Sequence, residues 1–370
     1  MRRELLDGAR APDIHVKELE NVRRAIYNER RKTLPKLPKN IEDVHNCVET
    51  SDLISSKGEN MVQWNDKESG IIIFSTEANL KLLCQENVRI LADGTFNTCP
   101  KFFLQLYILH IYKDTVYVPC VYCLLPAKSE QTYTSMFTIL REVCAAHDLD
   151  FQVISLNIDF EKACHKSVLA LWPDVSIHGC QFHLSQAWYR KLCELGLSVE
   201  YKTPDSEIGR WLKMFFGLSF VTPEDVPDTM AFDIMPDTPD DPRCVRFADY
   251  VCSTYVDDGA QFPPSVWADP QIDGVRTTNG CESFHRHFND QFYVSHPNIH
   301  EFMQKLKEVQ TITYVKISTI NSGQGHTRPR PQRRQKLLEL GRLQQRYNTG
   351  EIDRKEYVKS MAWKNLPAML

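Results

Sequence analysis

The sequence predicts an α/β protein: a mixed sheet flanked by helices, interrupted late in the chain by a mainly helical insertion. Three observations predict it. Short apolar runs rich in Val, Ile, Phe and Tyr alternate with helix-period segments between Gly70 and Leu195. From Val88 onward their order is β-β-β-α-β-α-β-α, which suits a mixed sheet better than a regular βαβ repeat. The pattern then breaks over residues 198–275, where 15 Asp/Glu stand against 5 Lys/Arg and the stretch MPDTPDDPR interrupts any long element.

Residues 1–69 read as a basic N-terminal helix that leaves into a linker at Pro35 and Pro38. The first part of the core spans 70–197. It opens with a strand at Gly70–Phe74 and a Ser/Thr-capped helix over Ser75–Leu83. Val88–Ala92, Phe102–Tyr112 and Thr115–Leu125 are strands, the last two joined as a hairpin at Lys113-Asp114. Tyr133, Phe137, Leu140 and Val143 recur at helical spacing in Glu130–His147. A strand at Phe151–Ile158, a helix at Phe160–Leu171, a strand at Val175–His178 and a helix at Phe182–Leu195 follow. After the acidic insertion of 198–275, the core resumes over 276–320 with one helix from near Thr278 and another from Ile299 to about Ile317. Residues 321–370 form a basic tail, with SGQGHTRPRPQRRQ as a linker and a short helix at Lys336–Tyr347.

Length and composition narrow the classes. The 370 residues, 42% hydrophobic and 25% charged, can bury a substantial core, which excludes wholesale disorder and fibrous rods. The longest apolar stretches fall short of the roughly 18 to 20 residues that a membrane span requires. The start, MRRELLDGAR, has no apolar run of the signal-peptide kind, so an intracellular protein with no membrane partner is expected. Twelve scattered cysteines read as buried thiols in a reducing compartment. The net charge of −4 conceals +5 in residues 1–40 and +7 in residues 321–370, which leaves the middle at −16. A polyanion would then be held by the basic ends, since an acidic body repels phosphate.

Three acids stand where chemistry could use them. Asp93 meets Gly94 at the end of an apolar strand, where a hairpin turn is the alternative. Asp159 ends the run Val153–Ile158 before a helix, where it could serve as an N-cap. Glu282 lies three residues after Asn279, at capping-box spacing. Taken together, two aspartates on one sheet and a glutamate on a late helix can converge on two divalent cations about 4 Å apart. Carboxylates suit Mg²⁺ or Mn²⁺.

Four motifs in order, DGTF at 93–96, IDFEKA at 158–163, GCQFHLSQAWYRK at 179–191 and TTNGCESFHRHFN at 277–289, resemble Mutator-like element (MULE) transposases over roughly residues 20–365. The resemblance implies an RNase H-like fold, with Asp93, Asp159 and Glu282 as a metal-binding DDE triad and a helical insertion before the glutamate. It further implies Mg²⁺ (or Mn²⁺) as cofactor, cleavage and transfer of double-stranded DNA at transposon ends and target, a homo-oligomer as candidate assembly, and a nuclear location. The alternative is a domesticated DNA- or chromatin-binding protein that keeps the fold without cutting.

Cys180 and His183 match the family's C-x-x-H signature, which implies a role in ordering the active site or its DNA contacts. They are expected near the sheet edge bearing Asp159, packed or hydrogen-bonded and without zinc, because no second matching pair is evident. Cys120 and Cys123 also spell C-x-x-C, but alternation along a strand points them to opposite faces. His285 and Arg286, one turn beyond Glu282, are candidate phosphate contacts; Glu282 with Arg286 also reads as an ordinary i,i+4 pair. Only Cys47 precedes Gly70, so a zinc-dependent reader of the kind found in relatives is not expected within this chain. DNA contacts are instead expected from a flexible arm bearing Arg328, Arg330, Arg333, Arg334 and Lys336, supported by Arg30, Arg31 and Lys32.

Overall fold

The computed structural model describes residues 20–26, 29, 35–86, 88–271, 279–323 and 331–366. Its strands are β1 (Val62–Asp66), β2 (Ile71–Phe74), β3 (Arg89–Thr95), β4 (Gln105–Lys113), β5 (Val116–Leu125), β6 (Ser155–Ile158) and β7 (Ser176–Gly179). They form one sheet in the order β1-β2-β5-β4-β3-β6-β7. Strands β3, β4 and β5 are an antiparallel meander, and β6 and β7 extend it in parallel from β3. That is an RNase H-like arrangement, with β2 and β1 added on the β5 side.

Local sequence accounts for these pairings. Lys113 pairs with Val116 across a two-residue turn in which Asp114 and Thr115 have φ of 50° and 67°, the left-handed pair that matches strand twist. The turn therefore lies one residue later than the Lys113-Asp114 reading. Parallel strands need long crossovers, and two helices supply them: α3 (Glu130–Ala145) between β5 and β6, and α4 (Lys162–Leu171) between β6 and β7. Ser129 caps α3 by accepting from the Thr132 amide. The apolar face of α3, including Tyr133, Phe137 and Leu140, packs with Leu109, Leu156 and Ile158.

The other sheet face is covered by α1 (Ile41–Glu49) and by two late helices. Between them in the chain come α2 (Glu77–Leu83) and α5 (Gln181–Glu194), then the insertion helices α6 (Glu207–Met214) and α7 (Pro242–Val251). The late pair is α8 (Asn279–Asn289) and α9 (Ile299–Asn321). Phe288, Phe302 and Leu306 pack there against Phe74, Ile108 and Tyr122. With both faces covered, β4 and β5 are almost wholly buried, and so their sequences read as continuous apolar runs.

One strand departs from simple alternation. Leu109 pairs with Val121 and His110 with Pro119, leaving Cys120 as the extra residue of a β-bulge. The bulge shifts the alternation by one, so Cys120 and Cys123 lie in the same packed cluster and not on opposite faces. Neither belongs to a metal-ligand grouping among the described residues.

The basic tail is the larger correction. Helices α10 (Pro331–Asn348) and α11 (Arg354–Lys364) fold back onto the insertion. Leu340, Leu343, Tyr357, Val358 and Met361 share one core with Trp211, Phe215 and Phe247. Tyr347 stacks on Tyr357 with centroids 4.6 Å apart, and the Tyr357 hydroxyl donates to the Phe220 carbonyl at 3.2 Å. Arg354 pairs with Asp233, and Lys355 with Asp237 at 2.6 Å. Arg333, Arg334 and Lys336 are exposed on α10 and belong to a helix, not to a flexible arm. Arg328, Arg330, Arg30, Arg31 and Lys32 lie outside the described residues.

The hairpin depends on a close backbone approach. A Cβ on Gly217 would lie 2.2 Å from the Val358 carbonyl oxygen, whereas one on Gly341 in α10 would meet nothing within 4 Å. Gly217→Ala is expected to destabilise the fold by about 1–3 kcal/mol through overpacking. Gly341→Ala should stabilise it by about 0.8–1 kcal/mol, the helix-propensity difference. Urea unfolding of both variants beside wild type measures this, and coincident midpoints for Gly217→Ala and wild type would show that the close packing is not needed.

Candidate active site

Parallel pairing decides where the acids meet. Ile90 lies opposite Leu156 and Leu91 opposite Asn157, so β3 and β6 run out at one sheet edge, with Asp93 near the end of β3 and Asp159 just past β6. Ile158 pairs with Gly179, which brings Cys180 to the same edge at the start of α5. Asp93 is buried within β3, its Oδ1 accepting from the Gly94 amide at 2.9 Å, so this Asp-Gly is strand and not turn. Asp159 is not the cap of α4, since Glu161 holds that position. Its carbonyl accepts from His165 Nε2 at 2.8 Å, while its Oδ1 is buried without a hydrogen-bond partner.

Helix α8 brings the glutamate across the sheet face. Gly280 permits this, because a Cβ there would lie 2.4 Å from the Tyr117 ring, and Cys281 is buried against Leu91. Glu282 faces His183, with Oε1 4.0 Å from Nε2. His285 turns inward, its Nδ1 3.4 Å from Asp93 Oδ2, and is buried instead of being offered to DNA. Arg286, one position on, is exposed.

His183 is the hub of the site. Ligand atoms of Asp93, Asp159 and His183 lie within 4.8 Å of one another, and so do those of Cys180, His183 and Glu282. All three acids therefore have an oxygen within 4.8 Å of a His183 ring nitrogen. These are the groups among the described residues that could hold a metal. Around them runs a polar network that sequence reasoning did not single out. Gln105 donates to the Tyr133 hydroxyl at 2.7 Å, which donates to Glu161 at 2.9 Å; Lys128 sits 3.5 Å from Glu161 and 4.3 Å above the exposed Phe96 ring. The signal was present, since Phe96 belongs to DGTF and Glu161 to IDFEKA.

Residues 89–187 match the family model of the MULE transposase domain. The chain carries a MULE transposase domain. The match takes in Asp93, Asp159, Cys180 and His183 and ends before the insertion and Glu282. A search of curated proteins gave no match. No helix among the described residues is long and apolar enough to cross a membrane.

The electrostatics of this cluster follow from crowding and burial. Burial, then the charge of Asp93, pushes Asp159 up to about 6. Burial also raises Glu282, with partial relief from His183. For His183 burial works downward, but the neighbouring Cys180 side chain and the charges of Asp93 and Asp159 outweigh it, and its pKa is pushed up to about 9. Each raised group binds more protons folded than unfolded, so each makes stability fall as pH rises. The Asp159 contribution is present below about pH 4 and lost through about 6, and that of His183 is present below about 6.5 and lost through about 9. In EDTA, Asp159→Asn is therefore expected to melt above wild type at pH 7, with the gap closing toward pH 4. Thermal melts across that range test it; a gap that does not change with pH would show that Asp159 carries no buried repulsion.

Proposed function

We propose that the chain is a DDE transposase core that cleaves and transfers DNA strands in a metal-dependent reaction, with Asp93, Asp159 and Glu282 as the ligands. The observation that supports this is the gathering of three acids from β3, the end of β6 and α8, with Asp159 Oδ1 and Glu282 Oε1 buried and unpartnered. Buried carboxylate oxygens without donors are costly unless a cation meets them. Hard oxygen donors of this kind fit Mg²⁺ or Mn²⁺. When bound, a pair of such ions activates a water or 3′-hydroxyl and stabilises the leaving oxygen.

The chain's own residues prepare that chemistry. His285 orients Asp93, and His165 holds the backbone that carries Asp159. Lys128 and the exposed Arg286 place positive charge beside the acids, where a phosphodiester would otherwise be repelled. Double-stranded DNA is the partner this implies, with Arg334 and Lys336 on α10 as further phosphate-binding groups and the nucleus as the place of action.

Mn²⁺-dependent nicking of supercoiled plasmid tests the reading. Asp93→Asn, Asp159→Asn and Glu282→Gln should each slow nicking at least about a hundredfold, near 3 kcal/mol of lost transition-state stabilisation. Full activity in Asp159→Asn would overturn the triad. A wild-type chain that binds duplex without nicking it would favour the non-catalytic binding module. Neutralising Arg334 and Lys336 should flatten the salt dependence of duplex affinity by about 0.9 for each phosphate left without a cationic side chain.

A further inference from the structure

The two ligand groups that share His183 differ in chemical hardness. Asp93 and Asp159 offer oxygens, whereas the second group combines the Cys180 sulfur, a His183 nitrogen and a Glu282 oxygen. Cys180 is fully buried and occupies the N-cap position of α5 without using its side chain to cap the helix. The Cys180 side chain hydrogen-bonds to His183, and Glu282 Oε1, 4.0 Å from His183 Nε2, is buried and has no hydrogen-bond partner. One sulfur, one imidazole and one carboxylate are a donor set that Zn²⁺ takes in preference to Mg²⁺.

From this geometry we infer that Cys180, His183 and Glu282 form a binding site for Zn²⁺ that competes with the hard-cation site for Glu282. Ligand atoms around a tetrahedral zinc with bonds of about 2.0–2.3 Å lie about 3.3–3.8 Å apart. Here they lie within 4.8 Å, with one edge at 4.0 Å, so closing on the ion takes a contraction on the order of 1 Å. Thiolate and carboxylate balance the ion's charge, and the thiol proton leaves to solvent as the metal binds. The fourth position stays open to water.

The sequence offers no second matching Cys/His pair, and so no zinc is expected from it alone. The third ligand comes instead from Glu282, 99 residues beyond His183. Binding draws the Glu282 carboxylate toward the thiolate and away from the aspartates, so zinc and strand cleavage exclude each other. That consequence rests on the function proposed above; the binding site itself does not.

Cobalt reports on such a site directly. The EDTA-stripped, reduced full chain is titrated with Co²⁺ and then with Zn²⁺. A thiolate-to-cobalt charge-transfer band should appear at one equivalent and be displaced by one equivalent of Zn²⁺. Cys180→Ser, which keeps a good N-cap residue at that position, should abolish the band, and Glu282→Gln should weaken zinc binding at least about tenfold. Cys193→Ser, which removes an exposed thiol on the same helix, should leave the band intact. A band that survives Cys180→Ser, or no thiolate band in wild type, overturns the site. In the plasmid assay, stoichiometric Zn²⁺ should inhibit wild type, and half-inhibition of Cys180→Ser, measured against its own zinc-free rate, should need at least about tenfold more. If nicking is absent throughout while the cobalt band behaves as expected, the catalytic reading fails and the zinc site stands.

Discussion

Two carboxylates held at the ends of neighbouring parallel strands set the terms for the rest of this molecule. Hydrogen-bonded strands lie about 4.8 Å apart, so the β3–β6 register leaves Asp93 and Asp159 little room to separate. Their repulsion in a buried edge must be met by positive charge or by a cation. His183 supplies the first, arriving at the same edge because β7 runs parallel to β6. The crossovers α3 and α4 make that parallel run feasible, and the close approach at Gly280 lets α8 bring Glu282 and His285 to the acids. Elements far apart in the chain are thus committed to one small volume.

Charge segregation along the chain resolves differently from what the linear pattern suggests. An acidic insertion and a basic tail look like a body that repels DNA and an arm that holds it. Folded, part of each neutralises the other, as Arg354 with Asp233 and Lys355 with Asp237. The insertion core is completed by tail residues such as Tyr357 and Val358, so α10 and α11 belong to its structure. Positive charge beside the acids comes in part from Lys128 and Arg286, which the linear count spreads through a segment that is acidic overall.

Function and stability pull against each other at the acid edge. Asp159 and Glu282 both carry buried polar atoms without hydrogen-bond partners, and both acids are pushed above their usual range. The proposed role as a cation site accounts for these groups being left internally unsatisfied, a cost that the surrounding fold has to absorb. The well-packed sheet, closed on both faces, is suited to do so.

Much of the core was legible in the sequence, because its signals are local. Apolar period, the cap at Ser129 and the breaks at Pro and Gly are properties of a few adjacent residues, and they place the strands and helices between Gly70 and Leu195. The motifs likewise name Asp93, Asp159 and Glu282, since each sits at a strand end or a helix start that can be read locally. What sequence could not supply is whatever depends on packing between distant residues. The Cys120 bulge is visible only in register with β4. Helix α11 was missed because its apolar residues, Tyr357, Val358 and Met361, lie among charges and show their purpose only against Phe215 and Phe216. The two alliances of His183, with the aspartates and with Cys180 and Glu282, arise because strand register and helix packing bring β3, β6, β7 and α8 to one edge, and no local pattern encodes that meeting.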